Sequence, residues 1–151
     1  MTKKVYETLI DAPVEAVWEF HQSVEALKAL TPPGRRVEVL SEDTAVRNGA
    51  IHRLKVRQFG IPLIWEAEIS EVDPPNGFTD TAVKSPFRIW KHRHAFIAEG
   101  SKTRLKDTVE YEAPFGFLGR IADKLFISRD IDRLFAFRHR ATRQSLERKS
   151  G

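Results

Sequence analysis

The sequence predicts an α+β fold in which a curved antiparallel sheet of about seven strands wraps around one long C-terminal helix. Three observations carry this. Six runs between Arg35 and Glu112 have strand-like length and are separated by short turn signals, and short connections join antiparallel neighbours. Residues 118–148 instead repeat apolar side chains at helical spacing. A single sheet with one buried face needs a cover, and that helix is the one element long enough to supply it.

The first strand covers 3–10, with Val5, Thr8 and Ile10 loosely alternating. Pro13 fits a first helical position, where its missing N–H costs nothing, and Asp11 lies near the positive end of the helix. Val14, Val17 and Trp18 give this short helix one apolar face. Ser23 is the expected N-cap of a second short helix, with Leu27 and Leu30 on its buried side, and Thr31-Pro32-Pro33-Gly34 ends it. Both helices thus fall between the first two strands. The remaining strands are 35–41, 50–58, 63–72, 78–83, 88–98 and 103–112, with turns at Asn48-Gly49, Gly60-Ile61-Pro62, Pro74-Pro75-Asn76-Gly77, Ser85-Pro86 and Glu99-Gly100-Ser101. In the final segment Leu118, Ile121, Ala122 and Leu125 are followed by Ile131, Leu134 and Phe135, with a kink expected near Ser128.

Composition narrows the function. A chain of 151 residues with 41% hydrophobic content fits one domain, residues 1–151, with a sizeable core, and 30% charged residues suit a soluble surface. No apolar run approaches a bilayer-spanning length, and Met1 to Glu7 lacks the apolar stretch of a signal peptide, so a cytoplasmic location is expected. Zero cysteines exclude a disulfide framework, a thiol nucleophile and cysteine-ligated zinc. The eight glycines form no phosphate-cradling or dinucleotide motif, and no serine sits in a nucleophile elbow, which disfavours nucleotide-dependent and hydrolase chemistry. No cofactor is expected. The net charge of +4 is concentrated in residues 120–149, which hold nine Lys/Arg against four Asp/Glu. Such a helix can meet anionic lipid, whereas no RNA-binding or zinc-finger pattern accompanies it, so nucleic acid is not an expected partner.

The most informative run is Trp90 to Phe96. Successive strand side chains point to opposite faces, so Trp90, His92, His94 and Phe96 share one face and two imidazoles sit within an aromatic stripe. If the last hairpin sets Ala98 opposite Thr103, then His94 faces Asp107, His92 faces Val109, Trp90 faces Tyr111 and Phe96 faces Leu105. A hydrogen bond between His94 and Asp107 follows. The same logic around Gly60-Ile61 pairs Val56 with Trp65 and Leu54 with Ala67, and puts His52 near Ile69.

Several segments, in order, carry a resemblance: Ile10 through Trp18, Asn48-Gly49-Ala50, Phe78 with Asp80, Trp90 through Phe96, Thr103-Arg104-Leu105 with Asp107, and Tyr111 through Gly116. Together they resemble the helix-grip superfamily of START lipid-transfer domains, birch-pollen-allergen proteins and polyketide cyclase/dehydrase-like proteins, known as SRPBCC. The resemblance implies a hollow between sheet and long helix that takes a lipid, polyketide, hormone or other hydrophobic molecule. It implies no universal catalytic motif. The expected cavity is walled by Trp65, Trp90, His92, His94, Phe96, Asp107 and Tyr111 and roofed by Leu125, Ile131, Leu134 and Phe135.

Three uses of the His92/His94/Asp107 group stay open: a satisfied structural cluster, a set that orients a ligand's polar part, or an acid/base or metal site. The candidate catalytic residues are His94 and Asp107, as base and orienter; a metal is not expected. Glu66 and Glu68 should face solvent, Asp80 should face inward as a structural group, and His21 and His139 should be edge or surface residues. The leading expectation is a binder of a hydrophobic or amphipathic small molecule or lipid. The alternatives are a cyclase/dehydratase-type enzyme and a membrane-facing lipid carrier that uses Arg120, Lys124, Arg129 and Arg133 with Phe115, Phe117 and Phe126.

Overall fold

Alternation is cleanest in the strand Lys102–Glu112, where every second side chain from Thr103 to Tyr111 is buried. It lies next to the edge of a seven-stranded antiparallel sheet formed by β1 (Thr2–Ile10), β2 (Arg35–Val39), β3 (Ile51–Gln58), β4 (Ile61–Asp73), β5 (Gly77–Lys84), β6 (Ile89–Glu99) and β7 (Lys102–Glu112). The spatial order is β1-β7-β6-β5-β4-β3-β2, so the first two strands occupy opposite edges. The short helices α1 (Val14–Phe20) and α2 (Val24–Ala29) carry the chain between those edges. The C-terminal part contains α3 (Gly116–Ala122), a π-helical turn (Asp123–Ile127) and α4 (Ser128–Ser150). This computed structural model describes residues 1–58 and 60–150; the side chains at 24, 25, 58 and 148–150, including the basic groups of Arg148 and Lys149, lie outside the described residues.

Both sheet edges reach α4, which gives the sheet its curl. From β1, Lys4 Nζ donates to the Ser128 carbonyl at 3.1 Å and pairs with Asp132 at 2.7 Å, and the Tyr6 hydroxyl donates to Asp132 at 2.6 Å. Further along, Arg143 donates to Thr8 Oγ1 at 2.6 Å. From β2, Arg35 pairs with Asp130 at 2.7 Å. Exposed ion pairs of this kind contribute about 0–1 kcal/mol each, so they set position more than stability. The apolar interior supplies the stability and falls into two clusters. One gathers Ile10, Val17, Ile69, Phe78, Phe96 and Leu105, and the other Trp90, Val109, Tyr111, Ile131 and Phe135.

Several expectations are corrected. Val5 faces outward, because the inner face of β1 is Lys4, Tyr6, Thr8 and Ile10. Pro13 is the N-cap of α1, one position before its expected place, and its carbonyl accepts from Ala16 and Val17. Ser23 does cap α2, accepting from the Ala26 N–H at 3.0 Å. The β3–β4 hairpin closes with Gln58 opposite Ile61, tighter than expected because β4 begins directly after Gly60 at φ +73°. Leu54 therefore faces Trp65, Val56 faces Leu63 and His52 faces Ala67. A two-residue shift keeps every side chain on its expected face and changes only its partner.

The roof is corrected as well. Ile131 and Phe135 are buried, but Leu125 is 56% exposed. Leu125 lies in the π-helical turn, whose side toward the core is taken by Asp123, bonded to Tyr111, and by Ile127, packed on the Trp90 cluster. The π-helical turn lies where the kink was expected, just before Ser128.

Gly77 fixes the approach of β5 to β6: a Cβ there would collide with the His94 carbonyl oxygen, and its φ is +151°. Gly77→Ala should lower stability by about 2 kcal/mol or more, measured by urea unfolding.

Candidate functional site

The inner faces of β5, β6 and β7 bring together Asp80, His92, His94 and Asp107, and α4 adds His139 and Arg138 above them. In the strand register Asp80 lies opposite His92, and Asp107 lies opposite His94, as expected for the last hairpin. The hydrogen bonds run diagonally. Asp107 Oδ1 accepts from His92 Nε2 at 2.6 Å, and Asp80 Oδ2 accepts from His94 Nε2 at 2.6 Å. Diagonal neighbours on one face of a sheet are within reach of long side chains, so both pairings are compatible with the ladder. The two imidazoles stack with centroids 3.7 Å apart.

His94 therefore does not take Asp107 as its partner; its Nδ1 is 3.8 Å from Asp107 Oδ1, beyond hydrogen-bonding distance, and Asp80 holds it instead. Asp107 has a second imidazole partner, because its Oδ2 accepts from His139 Nε2 at 2.6 Å. His139 is 6% exposed and belongs to the cluster, contrary to its expected surface position. His21 is also drawn in. Its Nδ1 donates to the Val17 carbonyl at 2.8 Å, and its ring lies 4.7 Å from Phe96 and 6.3 Å from His94.

Burial opposes ionisation of Asp107, but hydrogen bonds from His139 and His92 and the nearby imidazoles outweigh it and hold the carboxyl well below its ordinary value. Asp80 is held below its ordinary value in the same way: burial raises it, and the His94 hydrogen bond with the His92 and His94 charges outweighs burial. Burial, helped by His92, pushes His94 down despite Asp80. Burial likewise lowers His21, to about 4. The Arg138 guanidinium, lowered by burial and facing Asp107 and Asp80, lies 5.3 Å from the centre of the Phe135 ring. Two carboxylates thus face one guanidinium across the imidazoles.

The other expected site residues divide between the two apolar clusters. Trp90 meets Trp65 edge-on at 5.5 Å, and Tyr111, fully buried, donates its hydroxyl to Asp123 at 2.7 Å. Phe135 stacks on Tyr6 at 4.8 Å and meets the edge of His92 at 5.1 Å. Ile131 and Leu134 pack with this group, whereas Phe96 lies on the far side of the histidines with Phe78 and Trp18. The polar cluster thus separates two apolar regions along β6 and β7. Two clefts flank α4. One, of about 500 Å3, is lined by Tyr6, Thr8, Phe135, His139 and Arg143, and the other, of about 240 Å3, by Pro33, Arg35, Arg133 and Leu134.

Asp80, His92 and His94 each offer a metal-ligand atom within 4.8 Å of the others. A cation there would have to displace the bond between His94 and Asp80. Glu66 is paired with Arg53 at 3.1 Å and Glu68 is exposed, so neither reaches the cluster.

A curved sheet gripping a terminal helix over a mostly apolar interior defines a helix-grip protein. Residues 10–137 match the family described as polyketide cyclase / dehydrase and lipid transport, and the chain belongs to that family. No curated protein matches the sequence. Among solved structures, the protein TTHA0849 from Thermus thermophilus is similar over 99% of this chain and 100% of its own, with 22% identity and a TM-score of 0.76. The ZhuI aromatase/cyclase from Streptomyces sp. R1128 is 19% identical over 99% of this chain and 96% of its own, with a TM-score of 0.78. A START superfamily protein from Mycobacterium smegmatis is 14% identical over 97% of each chain, with a TM-score of 0.71. These likenesses establish the fold. Family and fold together support a ligand-binding or polyketide cyclase/dehydrase-like role.

Two measurements probe the cluster. His21 has a folded pKa of about 4, below its ordinary 6.5, so its stabilising contribution is complete above pH 6.5 and is lost as pH falls toward 4. His94 acts in the same direction, whereas Asp80 and Asp107 keep their contributions until pH falls below 3.8. The urea midpoint should therefore already decline between pH 6.5 and 4, and His21→Asn should flatten that decline. Asp107→Asn, which leaves two buried imidazole donors competing for one oxygen, should cost about 3 kcal/mol or more in urea unfolding, against less than about 1 kcal/mol for the exposed Asp130→Asn.

Proposed function

We propose that this domain binds a hydrophobic or amphipathic small molecule, held between the sheet and α4 with its polar part on His94. The observation that carries this reading is the unequal use of the two stacked imidazoles. His92 is fixed through Nε2 by Asp107, and its side chain is only 4% exposed. His94 is fixed through Nε2 by Asp80, its Nδ1 has no partner within hydrogen-bonding distance among the described residues, and its side chain is 13% exposed. A neutral, oriented imidazole with a free lone pair between two apolar regions suits a ligand hydroxyl or N–H donor. Trp90, Tyr111, Ile131, Leu134 and Phe135 would meet the apolar body on one side and Phe96 on the other. Trp65 lies at the outer rim of the first group, while Leu125 has no part in this reading.

A second reading rests on the same atoms. An Asp80-oriented His94 held in its neutral form is also a general base, suited to the cyclisation or dehydration of a ligand already bound. The dyad would be His94 with Asp80, in place of His94 with Asp107.

Native mass spectrometry of freshly purified protein, before and after incubation with a fluorescent fatty acid, tests both readings. A retained or added small molecule, with affinity reduced roughly two- to tenfold in His94→Asn, supports binding. Conversion of the retained molecule by the wild type but not by His94→Asn would support catalysis. No retained molecule and no fatty-acid uptake would overturn the binding reading.

A further inference from the structure

The outer surface of residues 115–126 carries a chemistry that the buried histidine cluster does not use. Phe115, Phe117, Leu118, Ile121, Leu125 and Phe126 are between 50% and 83% exposed. Leu118, Ile121 and Leu125 follow the spacing that puts helical residues on one face, and Phe117, four residues before Ile121, widens it. Contiguous apolar surface of this kind marks an interaction site.

The segment is pinned from beneath, which holds this face outward. A Cβ on Gly119 would collide with the Pro114 carbonyl, so α3 sits directly on the preceding turn. Asp123 accepts from the buried Tyr111 hydroxyl at 2.7 Å, and Ile127 packs against the Trp90 cluster. Burial and this bond raise Tyr111 to about 12, so the hydroxyl stays protonated and the link persists at neutral pH.

Charge identifies what the face meets. Arg120 and Lys124 are exposed within this segment, Arg129 and Arg133 are exposed on the first two turns of α4, and none is ion-paired among the described residues. Of the neighbouring acids, Asp130 pairs with Arg35, and Asp123 is half-buried and turned inward onto Tyr111, leaving more cationic than anionic groups beside the face. The surface is thus aromatic and aliphatic with a cationic rim. A second copy of the chain would bring a like-charged rim against it in a two-fold contact. Anionic lipid headgroups over an acyl layer match both features, whereas among the described residues no helix is long and apolar enough to cross a membrane.

We propose that α3 and the π-helical turn form a peripheral docking surface for anionic lipid bilayers, with Phe117, Leu118 and Phe126 entering the interface while Arg120 and Lys124 meet the headgroups. The proposal stands apart from the identity of the ligand inside the domain. Sedimentation with phosphatidylcholine vesicles, with and without phosphatidylglycerol and at low and high salt, tests it. Binding should require the anionic lipid and weaken with salt. Arg120→Ala with Lys124→Ala should lower vesicle affinity roughly fivefold per charge removed, and Phe117→Ser with Phe126→Ser should reduce binding to background. Both double variants change exposed side chains, so their thermal unfolding should match the wild type. Equal binding to neutral vesicles, binding insensitive to salt, or no binding to anionic vesicles would overturn the proposal. A dimer that Phe117→Ser with Phe126→Ser dissociates, without vesicle binding, would do the same and assign the face to a second copy.

Discussion

The carboxylate of Asp107 is the interaction on which the rest of the architecture depends. It stands on β7, takes one hydrogen bond from β6 through His92 and a second from α4 through His139, each at 2.6 Å. A buried charge is costly to remove from water and is tolerated where each of its oxygens is hydrogen-bonded. Here that commitment ties helix to sheet at one height: His139 must sit above Asp107, which sets how Phe135, one turn earlier on α4, lands between Tyr6 and His92. Helix placement and site assembly are consequently the same event.

The second carboxylate, Asp80, is a counterpart with a different balance. It serves His94 at 2.6 Å and stands 3.6 Å from His92 Nδ1, so the two stacked imidazoles are bridged from both ends. His94 is the more accessible ring. The cluster is fully engaged at Asp107, where it ties helix to sheet, and leaves His94 Nδ1 without a partner within hydrogen-bonding distance among the described residues.

Much of this is legible in the sequence because β-structure obeys a period of two. The face shared by Trp90, His92, His94 and Phe96, and the pairing of His94 with Asp107 in the final hairpin, follow from that period and one turn. Hydrogen-bond partners do not follow, because in-register pairs and diagonal pairs are both reachable on one face. The sequence points Asp80 inward without a partner, although its position opposite His92 puts it diagonal to His94. His139 and His21 read as peripheral, since no local pattern reveals which helical residue meets which strand. Leu125 differs for another reason: apolar character does not guarantee burial, and this residue lies on the exposed side of the segment before α4. His139 carries one usable signal, its position four residues after Phe135 and eight after Ile131 on the apolar side of the helix.

The ties between α4 and the two outermost strands bear on solubility. An open sheet ends in two rows of unpaired backbone groups, and such rows recruit strands from other molecules. In this chain both edge strands carry cationic side chains: Lys4 on β1 reaches Asp132 and Arg35 on β2 reaches Asp130, with Lys3 and Arg36 next to them. A strand approaching either margin meets fixed charge before it meets free backbone. The contacts that curl the sheet thus also guard it against edge-to-edge association.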